Sequence, residues 1–390
     1  MTETFTNWSG NQQHPGAQVI RPRSDDEIGH LLQKAASESR AVRAIGTGHS
    51  FVPFWTDDYV VSLDDMRGVV SHDPEAGQLT LRAGTKLHEI GEPAWELGLS
   101  MRNMGDIDRQ SIAGAISTGT HGTGRTLGNL SSQVVGLKLV TAAGETLSLT
   151  PADGDLFRAA QISMGVLGIL TEVTMQLVPR YYLHERNWLA SVDECAAARD
   201  SLIDGHRHFE FFWVPGTDEC MMKTLDVTDR EENISISEDE HIGPNYVILP
   251  STRDRKFNEI EFSVPEEAGW DCFLEIRALM QRDFPEVKWP LEYRTLHADD
   301  IMISSAHGRP TVTISAHQGA SHDYEAFFLA VEDVFRQVGG RPHWGKFPRH
   351  TAPELARLLP EFERFCSLCE HLDPEGRFLN PFLRDVFGIH

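Results

Sequence analysis

Apolar residues in "SDDEIGHLLQKAASES" (24–39) recur three and four apart, behind a serine and three acids. That pattern predicts an amphipathic helix with a capped start. "QVIRP" before it and "AVRAIG" after it read as extended, so residues 18–44 predict strand, helix, strand. "YVVSL", "GVVSHD" and "QLTLRAG" are short apolar runs between turn residues and predict strands. "KLHEIGEPAWELGL" (86–99) predicts one helix, "SQVVGLKLVTAAGETLSLT" two strands about an Ala-Ala-Gly turn, "GDLFRAAQISMG" a helix and "GILTEVTMQLVP" a strand. Beyond residue 180 the pattern changes. "HFEFFWV" and "TVTISAHQ" alternate as half-buried strands do, and "EEAGWDCFLEIRALMQRDF" and "HDYEAFFLAVEDVFRQVGG" have helical spacing. Between them "DVTDREENISISEDEHIGPN" (226–245) is polar and acidic and reads as a mobile surface loop. The fold class is α+β, and the chain closes with a helix and "LDPEGRFLNPFLRDVFG".

With 390 residues the chain has length for two domains. Lys and Arg number 35 against 58 Asp and Glu, a formal net charge of −23, and a field of that sign repels nucleic acid and anionic membranes. No run reaches the ~18 apolar residues of a membrane span. "MTETFTNWSGNQ" lacks the basic start and apolar centre of a secretory signal. The 5 cysteines form no regular framework, which suits a reducing compartment, so a cytoplasmic location is expected. Cys366 and Cys369 form a CxxC within "FERFCSLCEHL", where amphipathic helical spacing makes them core residues.

Two small-residue segments change the picture. In "AIGTGHSF" (44–51) the glycines let backbone N–H groups approach an anion, because no Cβ intervenes. The histidine there is a metal ligand, a base, a nucleophile or a bystander. "NMGDIDRQSIAGAISTGTHGTG" (103–124) adds five glycines and a run of hydroxyls. Neither segment carries a phosphate-loop lysine or a dinucleotide fingerprint. Two such loops in one domain suit a diphosphate held by amides and hydroxyls. Further on, "EYR" puts Glu292 and Arg294 two apart, on one face of a strand. Such a pair is either a surface ion pair or a polar lining for a hydroxyl-rich ligand.

"RAIGTGHSF", "GDIDRQSIAGAISTGTHGTG" and "MGVLGILTEVTMQLVP" resemble the FAD-binding domain of the vanillyl-alcohol-oxidase superfamily. "PLEYRTLHADD", "RPHWGK" and "DPEGRFLNPFLRDVFG" narrow the resemblance to the aldonolactone oxidoreductases and the related alditol oxidases. The resemblance spans nearly the whole chain and is thinnest over residues 185–280. It implies a FAD-binding domain over 1–180, a cap domain with an antiparallel sheet over 181–340, and a segment over 341–390 that completes the active site. It also implies an oxidase that passes a hydride from a sugar-derived CH–OH to FAD and electrons on to dioxygen. Alditols, glycosides or nucleosides are the alternative substrates, and a dehydrogenase with another acceptor is the alternative activity.

The resemblance assigns roles residue by residue. His49 matches the histidine that carries the flavin covalently, with Gly46, Thr47, Gly48 and Ser50 around the pyrophosphate. Ser111, Gly114, Thr118, Gly119, Thr120 and His121 match FAD-contacting positions, as do Ile169 through its backbone and His343. Arg294 and Lys346 match charge-stabilising residues, Glu292 a hydroxyl acceptor, and His317 a substrate-side histidine able to assist proton removal. One pair departs from the pattern: Gly105-Asp106 stands where alditol oxidases have Ala-Ser. A glycine there fits open dioxygen access to the flavin. Asp106 is expected to bind a substrate hydroxyl or act as a base.

Overall fold

The computed structural model describes residues 2–251, 255–347 and 349–389. The predicted first helix runs Asp25–Ser37, and the Ser24 side chain accepts from the Glu27 amide to cap it. The flanking extended pieces become Gln13–Ile20 and Val42–Ile45, which both pair in parallel with Tyr59–Ser62. Thr2–Thr6 adds an antiparallel edge to this four-stranded sheet. A second sheet of five antiparallel strands follows, in the order Val69–Asp73, Gln78–Arg82, Ile169–Gln176, Val134–Val140, Thr146–Leu149.

Two expectations are corrected. Residues 86–99 do not form one helix: a 3₁₀ turn at Leu87–Glu89 is followed by a separate short helix at Gly91–Glu96. Pro93 is the reason, because its ring and missing N–H allow it in a helix's first turn but not in its interior. The polar segment 226–245 is not merely a loop. Ile234–Ser235 and Glu240–Pro244 form strands at the edge of a sheet, and His241 sits in register with Glu185 while Ile242 is fully buried. An edge strand exposes one side, so a polar composition is compatible with it.

That sheet has nine strands, ordered Ile234–Ser235, Glu240–Pro244, Tyr182–Ser191, Glu219–Thr228, His208–Val214, Leu291–Leu296, Thr311–Gly319, Phe257–Pro265, Arg341–Pro342. Period-two alternation divides its central strands cleanly. Phe209, Phe211, Trp213, Tyr293, Ile314 and Phe262 enter one core beneath the helices Val192–Gly205, Gly269–Asp283 and Glu325–Gln337. Glu210, Glu292, Arg294, Ser315, His317, Glu259 and Glu261 alternate with them and so occupy the other face.

The last fifty residues return to the first core. Trp344, Leu355, Phe365, Phe378 and Phe387 pack there with Ile28, Leu81 and Val173. Cys369, on the helix Phe362–Leu372, joins them. Arg43 fastens this return. It is 1% exposed, and its guanidinium donates to the carbonyls of Phe54 (2.8 Å), Gly165 (3.2 Å), Phe378 (2.7 Å) and Met164 (2.6 Å). Burial lowers its pKa to about 9, which still leaves it charged at neutral pH. Arg43→Ala strands four carbonyls at once, two of them in buried bonds. The expected loss is about 3–5 kcal/mol in urea unfolding, with Arg43→Lys recovering only part.

Candidate active site

Three cavities meet at His49. The first, of about 1010 Å³, is walled by the two glycine segments. The chain leaves the strand Val42–Ile45 at Gly46, and Gly48 turns it with φ +73°. A Cβ on Gly46 would stand 2.5 Å from Ser111 Oγ, and one on Gly48 would stand 2.8 Å from the Phe5 ring. Glycine is therefore required at both positions. The N-terminal segment braces the loop: Trp8 donates its amide to the Gly48 carbonyl at 2.7 Å, and Asn7 Nδ2 donates to the Ser50 carbonyl at 2.9 Å.

Thr47, Ser50, Ser111, Gly114 and Thr118 also line this cavity, with Ser111 capping the short helix Ile112–Ser117. Gly119 and Ile169 are not among its lining residues. The Ile169 side chain is buried in the first core, while its neighbours Gly168 and Leu170 reach the cavity. Lys86 lines the wall as well, 2.6 Å from Asp64.

His49 lies beside the Trp8 ring, centroids 5.9 Å apart at 29°. Burial, then the Lys346 and Lys86 charges, lower its pKa to about 4. The ring is thus neutral and nucleophilic at physiological pH. Its Nδ1 is buried and makes no hydrogen bond. Side-chain-free glycines, a row of hydroxyls and an orphaned imidazole nitrogen together fit a flavin nucleotide.

The second cavity, about 1330 Å³, has a mixed lining, with Trp8, Met101, Met104 and Leu249 beside His88, Asp108, Arg109 and Asn245. The third, about 620 Å³, is charged. Gly105, Asp106, Thr118, Thr120 and His121 enter it from one side. Glu259, Glu261, Glu292, Arg294 and His317 enter from the nine-stranded sheet, and His343 and Lys346 from the loop after it.

Arg294 is the hub. Its Nη2 lies 3.1 Å from Glu292 Oε2 and 3.5 Å from Glu261 Oε2. Burial opposes its charge, but Glu292, Glu261, Asp106 and Glu210 together outweigh burial and raise its pKa. Glu261 also meets His121 Nε2 at 2.5 Å, while His121 Nδ1 lies 2.8 Å from the Gly122 carbonyl. Burial opposes the Glu261 carboxylate, yet His121, His343 and Arg294 hold it well below the usual carboxylate range. Lys346 pairs with Glu259. His317 Nδ1 donates to the Pro290 carbonyl at 2.9 Å, which leaves Nε2 as the basic nitrogen, 3.8 Å from Glu259 Oε1. Glu292 goes the other way: burial raises its pKa well above the ordinary value, Arg294 opposing and Asp106 and Glu210 adding to the rise. His343 accepts from the Gly345 amide at 3.0 Å, and burial lowers its pKa to about 4.

Sequence reasoning missed Glu259, Glu261 and Glu210. The signal was present for the first two, since "FNEIEF" puts two acids on one face of an apolar strand. A Cβ on Gly105 would stand 2.9 Å from the His121 carbonyl oxygen and 3.2 Å from Thr120 Cγ2, so a side chain there would press on backbone.

Gly46→Ala is expected to lower the flavin retained per purified chain several-fold. Ser111→Ala in the same chain removes the Oγ at 2.5 Å but also a cleft hydroxyl and a helix cap, so only part of the retained flavin is expected to return. The ratio of visible flavin absorbance to ultraviolet protein absorbance checks both.

A family model for D-arabinono-1,4-lactone oxidase matches residues 173–239 and 233–386, and a FAD binding domain model matches 16–150. L-gulono-1,4-lactone dehydrogenase of Mycobacterium tuberculosis is 33% identical over the full length of both chains. Alditol oxidase of a Streptomyces species is 28% identical over 99% of each. Cholesterol oxidase from B. sterolicum shares the fold, with a TM-score of 0.86 at 15% identity over 99% of this chain and 97% of that one. The family match over more than half of the chain and the full-length relative at 33% identity show the family: the chain belongs to the D-arabinono-1,4-lactone oxidase family of FAD-dependent oxidoreductases.

Proposed function

We propose that the protein oxidises a hydroxyl of a sugar-derived lactone or polyol, with dioxygen as the final acceptor. The observation that carries this reading is the buried Arg294–Glu292–Glu261 cluster beside Lys346, in a cavity that shares His49 with the cofactor cleft. FAD held in that cleft supplies the two-electron acceptor for the substrate hydride. The remaining work falls to side chains. Glu292 and Glu259 accept hydrogen bonds from substrate hydroxyls. Arg294 and Lys346 stabilise negative charge as the reacting hydroxyl loses its proton, and His317 Nε2 receives that proton. His49, neutral and without a partner at Nδ1, is the tether for a covalently held flavin.

A dehydrogenase is the second reading, supported by the name of the mycobacterial relative. Stopped-flow reoxidation in air separates the two: a fast second half-reaction supports the oxidase, and turnover with an artificial acceptor alone supports the dehydrogenase. The central test is anaerobic bleaching of the flavin by a panel of aldonolactones and alditols. Absence of bleaching across the panel overturns the substrate class.

Arg294→Ala and Lys346→Met are each expected to slow anaerobic flavin reduction at saturating substrate by on the order of 10²-fold or more. If KM alone rises, the two residues bind substrate without aiding the chemistry. His49→Ala is expected to fold yet show no flavin fluorescence in the denatured protein band, and a band that still fluoresces removes the tether from His49.

A further inference from the structure

The wall of the charged cavity holds a histidine, His121, with no part in the proton or hydride steps. His121 lines that cavity and not the cofactor cleft. Both its ring nitrogens face acceptors: Nδ1 lies 2.8 Å from the Gly122 carbonyl oxygen, and Nε2 lies 2.5 Å from Glu261 Oε1. A carbonyl and an ionised carboxylate offer no hydrogen, so the ring must donate at both positions, which only the imidazolium form does. Glu261 stays ionised, because its neighbours hold it well below the usual carboxylate range against the opposing effect of burial. The pair is closed off from solvent, with side chains 1% and 2% exposed. A short hydrogen bond between two charged groups is of the strong kind.

Arg294 is held less firmly. Its Nε is buried without a hydrogen bond, and its two ion pairs run from one nitrogen, Nη2, to Glu292 at 3.1 Å and to Glu261 at 3.5 Å. Glu292 and Glu261 stand in one row of the sheet, on either side of Ser315, and Arg294 lies two residues along, opposite Thr313. The direction of the guanidinium therefore rests on the balance between two carboxylates. Of the groups that offset the Glu261 charge, His343 is neutral at physiological pH, its pKa lowered by burial to about 4. His121 and Arg294 remain. We propose that His121 is a positioning residue: by satisfying Glu261 it leaves Arg294 turned toward Glu292 and the reacting hydroxyl. Without His121, Arg294 is the cation left to answer a buried Glu261 and is drawn away from the substrate. The inference rests on the alcohol-oxidising reading, in which Arg294 stabilises the charge that forms as the hydroxyl loses its proton.

A double-mutant cycle on the holoenzyme tests this. His121→Asn is expected to slow anaerobic flavin reduction at saturating substrate by about 10-fold or more, with flavin content retained and KM changed less than kcat. In the Glu261→Gln background the same change is expected to cost less than about 2-fold, because a neutral amide does not compete for Arg294. A loss equal in both backgrounds overturns the inference, as does no loss at all. His121→Gln replaces His121→Asn if thermal unfolding shows the latter is not intact. Heteronuclear NMR of isotope-labelled histidine and arginine gives a readout that needs no substrate. The His121 ring, assigned by its response to Glu261→Gln, is expected to carry a proton on both nitrogens at neutral pH, and a neutral ring overturns the inference. The Arg294 guanidinium signal, assigned through Arg294→Ala, is expected to move in His121→Asn but not when Glu261→Gln is already present. An Arg294 signal that ignores His121→Asn overturns the inference as well. If no lactone or alditol bleaches the flavin, the proposed function falls, and the NMR signals alone decide whether His121 sets the place of Arg294.

Discussion

A buried guanidinium stays charged at neutral pH, so the chain must bring acceptors to it: carbonyls at Arg43, carboxylates at Arg294. Arg294 imposes that condition on the whole cap sheet. Glu292 comes from its own strand, Glu261 from the strand two places along, and Glu210 faces it in direct register. Glu261 then takes His121 from the glycine-rich segment at 2.5 Å. One run of charge, His121–Glu261–Arg294–Glu292, therefore joins the glycine-rich segment to the nine-stranded sheet and lines the pocket. Loosening any member would disturb both the packing of the two parts and the electrostatics of the site.

The parts of this arrangement that were legible in the sequence are those set by local chemistry. The helix behind Ser24, the alternation of "HFEFFWV" and the shared face of Glu292 and Arg294 all follow from spacing alone. The need for glycine at Gly46 was legible as chemistry but not as contact, because the atom it avoids, Ser111 Oγ, lies in the second segment. Glu259, Glu261 and Glu210 were not singled out, because an acid on a strand reads as a solvent-facing residue until its neighbours are known. Only the nine-strand order shows that this face is covered. The same limit explains the edge strands within 226–245, where pairing to Tyr182–Ser191 supplies the order that composition does not. The broken helix near Pro93 is different, since the signal was local and was outweighed by the apolar spacing around it.

His49 is where the two halves of the chemistry meet. The glycine loop fixes its backbone, Trp8 flanks its ring, and Lys346 from the C-terminal return helps to keep it neutral. Three separate stretches of chain thus set the state of one imidazole. The Arg43 anchor matters here as well, because it ties the strand that delivers the loop to the segment around Phe378.

Replacing buried ion pairs with apolar side chains of similar volume is commonly neutral or favourable for stability. The cap sheet's helix-covered face took that route, with Phe211, Tyr293, Ile314 and Phe262. Its opposite face did not, and the difference cannot be assigned to folding. Polar atoms without partners gather there on two adjacent strands: Glu292 Oε1, Arg294 Nε, Thr311 Oγ1, Thr313 Oγ1 and Ser315 Oγ. Native proteins leave few such atoms, and a run of them on one sheet face is costly if it stays empty. Glu292 and Arg294 line the charged cavity, so a ligand rich in donors and acceptors would complete these two when it binds.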